Sequence, residues 1–509
     1  MSADDMGQNR ATIALSLIAH TNVGKTTLAR TLLGRDIGEV RDVPHVTGSA
    51  ERHTLVESAQ GDVLELWDTP GFGDSARLAR RLAGLEHPIV RFLAMTWDRW
   101  RDRALWSSQQ AVRNVRDEAD VVLYLVNASE SPANAGYIEP ELTILDWIGK
   151  PVVVLLNQTG PPRAAGDEAA EIGRWRDALG TRACIEGVLS LDAFARCWVQ
   201  ESVLLREVAH ALPDAKQPAF ARLAAAWHAE RDAQFASAMA AVATPIAEAA
   251  CDRVALPDAG MRGVVLGVRK AIGLARGRVD RVKQGAMRAL SERVDEAIRE
   301  STDRLIAIHH LEGHAAEEVI ARLAQHVTMN GPVDERKAAV VGGFVSGALT
   351  GLAADLASGG LTFGAGILAG SVAGAVGAAG LARGFNLVRG RKETVVRWSD
   401  EFIASLVPAA VLRYLAVAHY GRGRGEWVAS EYPAFWREAV VAAVEREAGI
   451  ASVVALRNAE PCDAQALARA LQDKLDAIAR DVLATLYPGA GLGGLPRQRG
   501  SAENAAPSG

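Results

Sequence analysis

No stretch of this chain constrains its fold more than Ala19-His20-Thr21-Asn22-Val23-Gly24-Lys25-Thr26-Thr27, set between an apolar run ending at Ile18 and a helical stretch from Leu28 to Leu33. A strand that turns through a glycine into a helix aims backbone N–H groups and the positive end of the helix dipole at one point, and phosphate suits that point. Gly24 allows the close backbone approach that a Cβ would obstruct. Lys25 is spaced to reach β- and γ-phosphate oxygens, and the Thr26 hydroxyl to ligate Mg²⁺. Asn22, Val23 and Thr27 complete the phosphate-facing set, and Ala19 stands where the pattern places its first glycine.

A bare Gly-Lys-Thr recurs by chance, so a second motif decides. Asp68-Thr69-Pro70-Gly71-Phe72-Gly73-Asp74 follows the apolar run Val63 to Trp67, at the carboxyl end of a strand, where ligands bind in parallel sheets. A carboxylate there holds Mg²⁺, usually through water, and the Gly71 N–H senses a γ-phosphate. Further apolar runs at Ile13 to Ile18, Val121 to Val126, Val152 to Leu156 and Ile185 to Leu189 alternate with helical stretches. The pattern predicts an α/β fold, a three-layer P-loop NTPase sandwich around a mostly parallel sheet. Beyond Phe194 the periodicity turns helical, with long amphipathic helices over Phe220 to Ala250 and Val264 to His309 and no run that demands a strand, which predicts an all-α C-terminal domain. The basic start of the second of these helices reads as a solvated face.

These two motifs resemble those of the Era-like and septin-like P-loop GTPases, in which Asp-Thr-Pro-Gly is the third of five nucleotide-binding motifs. More closely, the chain resembles a proteobacterial family that joins such a domain to a C-terminal domain of unknown function, a likeness that includes Asp192-Ala193-Phe194-Ala195-Arg196-Cys197-Trp198. The resemblance implies GTP and GDP as ligands and Mg²⁺ as cofactor. It also implies a threonine that closes over Mg²⁺: Thr47 is the candidate and Thr54 its rival. Asn22 matches an asparagine that helps bind K⁺ in potassium-activated relatives, the alternative being a polar residue in a local turn.

Other positions depart from the pattern. Many regulatory GTPases place a water-orienting glutamine after the glycine of this motif, whereas this chain has Phe72, so intrinsic hydrolysis is expected to be slow and no catalytic residue is assigned. His20 and Asp74 read as a cap or a solvent contact before they read as bases, and Arg113 and Arg116 as salt-bridging residues before arginine fingers. The resemblance implies guanine recognition by Asn-Lys-x-Asp after the fifth strand, but the residues here are Asn157, Gln158, Thr159 and Gly160. The aspartate that accepts from two guanine donors is missing. Asn157, Gln158 and the Ser190 backbone remain as base-binding candidates, with Asp167 or Glu168 as replacement carboxylates or, more simply, helix N-terminal charges.

With 509 residues the chain exceeds one hydrophobic core, and 56 basic against 61 acidic side chains give no global field for nucleic acid, of which there is no specific signal. Four widely spaced cysteines without metal-ligand spacing suit a reducing cytoplasm. The expected divisions are a disordered N-terminus over 1–10, a GTPase domain over 11–200, a helical domain over 201–337 continued at 383–488, and a disordered tail over 489–509. Between the helical parts lies 338–382, with Asp355 its one charge and Gly343, Gly347, Gly351, Gly366, Gly370 and Gly374 in two four-residue repeats. It reads as a Gly-rich apolar helical hairpin flanked by basic residues, and membrane association at the cytoplasmic face is favoured over a buried hairpin in a soluble domain. The expectation is a slow GTPase switch controlling the helical half in concert with a protein partner of unknown identity, the alternative being a nucleotide-binding membrane or scaffold protein with little or no hydrolysis.

Overall fold

The computed structural model describes residues 10–35, 37, 50–94, 103–160, 163–193, 197–256, 272–311, 385–389, 394–420, 434–447, 449–459 and 461–490. Alternation along the apolar runs sets the first sheet. In β1 (Thr12–Ala19), Ile13, Leu15 and Leu17 enter one core while Ile18 enters another. In β4 (Val121–Asn127) and β5 (Val152–Asn157) successive residues divide between the same two cores. Strands buried on both faces belong inside a helix-covered parallel sheet. The order is β2-β3-β1-β4-β5-β6, where β3 is Val63–Asp68 and β6 is Ile185–Ser190. All neighbours are parallel except the edge strand β2 (Glu51–Glu57), antiparallel to β3 and not anticipated from its charged sequence.

Helices α2 (Ser75–Leu82), α3 (Pro88–Ala94), α4 (Arg103–Asp117), α5 (Ile138–Ile148) and α6 (Ala165–Leu179) pack on one face of the sheet. Helices α1 (Lys25–Leu33) and α7 (Trp198–Ala211) lie on the other. The carboxyl ends of β1, β3 and β5 therefore open on one edge of the sheet, beside the start of α1.

The C-terminal region is helical, as expected. Its members are α8 (Gln217–Cys251), α9 (Ile272–Ile308), α10 (Asp400–Ala418), α11 (Ala434–Arg446), α12 (Ile450–Ala455) and α13 (Ala464–Leu486). Leu223, Trp227, Phe235, Met239, Val242 and Ile246 form the buried stripe of α8, at helical spacing. A small antiparallel sheet, β7-β9-β8, joins it: β7 is Arg253–Leu256, β8 Phe385–Arg389 and β9 Thr394–Trp398. These strands correct the expectation that no strand follows Phe194; they are too short, and too far apart in the chain, to give a periodic signal of their own.

The sheet face carrying α1 and α7 shares one continuous hydrophobic core with this region. Trp198 at the start of α7 donates its indole N–H to Tyr414 of α10 at 3.2 Å, and Phe235 of α8 packs edge-on against that tyrosine. Cys251 and Cys462 form a disulfide across 211 residues, a pairing that the sequence reading did not foresee, while Cys184 and Cys197 are buried thiols. No helix among the described residues is long and apolar enough to cross a membrane. The hairpin expected at 338–382 lies outside the described residues, as do most of the terminal segments expected to be disordered.

Candidate nucleotide-binding site

The turn after β1 depends on backbone that few side chains tolerate. Gly24 has φ +95°, and a Cβ there would stand 2.8 Å from Asn157 Nδ2. Asn22 also takes the left-handed region, at φ +67°, which asparagine adopts more readily than most residues. Helix α1 then begins at Lys25, placing Lys25, Thr26 and Thr27 in its first turn. Val23 is buried beneath the turn.

At the end of β3 the Thr26 hydroxyl donates to Asp68 Oδ2 at 2.6 Å. Asp68 is 2% exposed, and its Oδ1 is buried without a hydrogen-bond partner among the described residues. Burial pushes its carboxyl up to about 6, against the pull of Thr26 and Lys25. A buried oxygen left in that state suits a cation, so the residues fit Mg²⁺: Thr26 and Asp68 would hold it, and the ion would neutralise phosphate charge. Lys25 is itself buried, which pushes its ammonium below the usual lysine range while Asp68 and Glu141 pull it back. A Cβ on Gly71 would come within 2.9 Å of Lys25 Nζ and 3.3 Å of Thr21 Cα, so the second loop lies close on the first.

Hydrogen bonds clamp the two loops together. Phe72 N donates to Ala19 O at 2.9 Å, and the Thr21 hydroxyl to Phe72 O at 2.8 Å. The Phe72 ring is fully buried, in the core that also holds Leu78 and Leu82 of α2. Asp74 caps α2 by accepting from Arg77 N at 3.0 Å, as expected. His20, in contrast, belongs to a network invisible in the sequence. Its Nδ1 lies 2.7 Å from Glu141 Oε1, Tyr124 donates to Glu141 Oε2 at 2.9 Å, and Tyr137 stacks on the imidazole at 4.5 Å. Glu141 is fully buried on α5, and burial raises its carboxyl despite these bonds. Arg116 pairs with Asp117, and Arg113 is exposed on the same helix.

At the base end Asn157 is fully buried and works as a brace. It donates from Nδ2 to Val23 O at 2.7 Å and accepts at Oδ1 from Ala193 N at 2.9 Å, tying the phosphate loop to the segment after β6. Gln158 and Gly160 have positive φ, +59° and +82°. Ser190 ends β6 and bonds Glu168 of α6, whose carboxyl burial raises. Asp167 is exposed. The residue that sequence reasoning missed is Asp192, 4% exposed, whose Oδ2 accepts from Thr159 N at 2.7 Å and from the Thr159 hydroxyl at 3.1 Å. Thr47 lies outside the described residues, whereas Thr54 sits exposed within β2 opposite Glu65.

This strand order, with a lysine- and threonine-bearing turn after β1 and a buried aspartate after β3, defines a P-loop GTPase domain, and residues 14–158 match the family model described as 50S ribosome-binding GTPase. Residues 176–475 match the family described as a domain of unknown function, DUF3482, and the chain belongs to that family. No curated protein matches. Among solved structures it is similar to Era in complex with MgGDPNP and a segment of 16S ribosomal RNA, at 17% identity, TM-score 0.29, and coverage of 40% of this chain and 58% of that one. It is similar to a single-residue variant of Aquifex aeolicus Era bound to GDP·AlF4⁻, at 18% identity, TM-score 0.29 and the same coverages. The NFeoB of S. thermophilus bound to mGMPPNP aligns at 13% identity and TM-score 0.21, over 59% of this chain and 98% of that one. The chain thus spans 58% of the length of the two Era structures.

Proposed function

We propose that this chain is a GTP-binding, Mg²⁺-dependent switch whose nucleotide state is passed to its helical C-terminal region. The observation that carries the reading is the cluster of buried Lys25 and Asp68 with half-buried Thr26, close to Gly71, in which Asp68 Oδ1 has no hydrogen-bond partner among the described residues. In this reading Asn22 to Thr27 hold the phosphates, Lys25 bridges β- and γ-phosphates, and the Gly71 N–H reports the γ-phosphate. Thr47 is the third Mg²⁺ ligand, and Asn22 contributes to a K⁺ site. Asn157, Gln158 and Ser190 frame the base.

Hydrolysis is slow in this reading. Water attacks the γ-phosphorus and the bond to the β-phosphate oxygen breaks, giving GDP and phosphate, yet the buried Phe72 cannot orient that water by hydrogen bonding. Transmission follows from the shared core: α1 runs from the phosphate loop into the cluster that continues through Trp198, Phe235 and Tyr414. The helical region spans 201–337 and 383–488, and 338–382 is its membrane-associating hairpin at the cytoplasmic face, where a protein partner is also engaged. A second reading, a nucleotide-stabilised scaffold without meaningful turnover, is favoured by Phe72 and Gly160.

Equilibrium binding of fluorescent GTP and ATP analogues with Mg²⁺, in the intact protein and in Lys25→Ala, tests the proposal. Tight GTP binding lost in the variant supports it, and equal or absent binding in both proteins contradicts it. Phosphate release with K⁺ and lipid that never exceeds the Lys25→Ala level would favour the scaffold.

A further inference from the structure

Resting on the reading of this site as a nucleotide pocket, we infer that Asp192 supplies the guanine-reading carboxylate that Gly160 does not. Gly160 has no side chain, and although space is open where its Cβ would stand, its φ of +82° makes any side chain there strained. Asp192 brings a carboxylate to the neighbouring residue from another loop. Thr159 N and Oγ1 both donate to Asp192 Oδ2, at 2.7 and 3.1 Å, which fixes that carboxylate beside the backbone one residue before Gly160. The next residue's backbone, Ala193 N, donates to Asn157, the same side chain that grips Val23 in the phosphate turn. One amide thereby sets the spacing between the phosphate loop and Asp192.

The chemistry selects guanine. Guanine presents N1–H and an exocyclic amine side by side, two donors for one ionised carboxylate, whereas adenine presents an acceptor at N1. A carboxylate has lone pairs enough to brace Thr159 and accept from a base together. A small cavity of about 40 Å³ adjoins this point, lined by Thr159, Gly160, Ser190, Asp192 and Glu168 and also by Trp436 of α11. The base-reading group therefore borders the helical region directly. Glu168 is the competing carboxylate, but it is engaged with Ser190 on α6, while Asp192 is bonded to the base loop itself.

The test is competition binding of GTP, xanthosine triphosphate and ATP to full-length protein. Xanthine carries a carbonyl where guanine has its amine, so an amide suits xanthine as a carboxylate suits guanine. The wild type should prefer GTP over both rivals. Asp192→Asn should lower GTP affinity by at least about tenfold and raise that for xanthosine triphosphate, a pairing difference of the size expected when a buried polar group loses its match. Because the substitution also touches Thr159, Gly160→Asp is added to Asp192→Asn, and the double variant should regain its preference for GTP. A GTP-to-xanthosine ratio unmoved by Asp192→Asn, with binding still abolished by Lys25→Ala, overturns the inference and leaves the nucleotide site standing. A shift seen instead with Glu168→Gln also overturns it. If wild type binds no nucleotide, the underlying reading falls and this one with it. If Asp192→Asn and the double variant both fail to fold, a wild type that binds ATP as tightly as GTP still overturns the inference.

Discussion

Asn157 shows how one side chain can brace a site from within the core. Fully buried, it satisfies Val23 O and Ala193 N at once, and truncation would orphan both backbone groups. Asn157→Ala should cost about 2–6 kcal/mol in chemical denaturation, since each of the two unsatisfied buried groups costs about 1–3 kcal/mol. It should also weaken nucleotide binding more than its stability loss accounts for, because both loops are released. A variant as stable and as competent as wild type would contradict the brace. The phosphate end was legible in the sequence because Gly24, Lys25, Thr26 and Asp68 sit in two short contiguous motifs, whose spacing is dictated by one turn each. The base end was not. Asp192 reaches Thr159 from 33 residues away, and Glu141 reaches His20 from 121 residues away, so no local pattern could reveal either pairing.

Among the elements, long apolar strands announced themselves and mixed ones did not. β4 and β5 are unbroken apolar runs buried on both faces, whereas β2 reads Glu-Arg-His-Thr-Leu-Val-Glu and pairs on one side only. Charge along an edge strand protects it from further pairing and hides it from a hydrophobicity scan. The turn after β2 also anchors α8: Arg222 donates to both carboxylate oxygens of Asp62, at 2.7 and 3.0 Å. That guanidinium is the largest influence holding Asp62 down at about 2, below its ordinary 3.8. A depressed folded-state value means that the contribution is complete above pH about 4 and is lost as pH falls through 3.8 towards 2. Acid titration of thermal stability should therefore show a limb in this window that Arg222→Ala diminishes. An acid limb identical in both proteins would show that the clasp contributes nothing.

At the scale of the whole molecule, the α1–α7 face of the sheet and the helical region are not separate cores. Residues from Ile13 to Ala490 contribute to one cluster, joined at Trp198 and Tyr414 and closed covalently by Cys251–Cys462. Purified protein denatured without reductant should titrate two thiols, Cys184 and Cys197, and four after reduction; four in both states would remove the covalent closure. A shared core gives a change at the phosphate loop a packed route to α8 and α10, because close-packed interiors transmit displacement. The measurement that tests this most directly is limited proteolysis of residues 200–480 with Mg²⁺ and either GTP or GDP, with Lys25→Ala as control. A nucleotide switch coupled through this core should give different cleavage patterns in the two nucleotides, and no difference in the variant. Identical protection with GTP and GDP in wild type would contradict the switch.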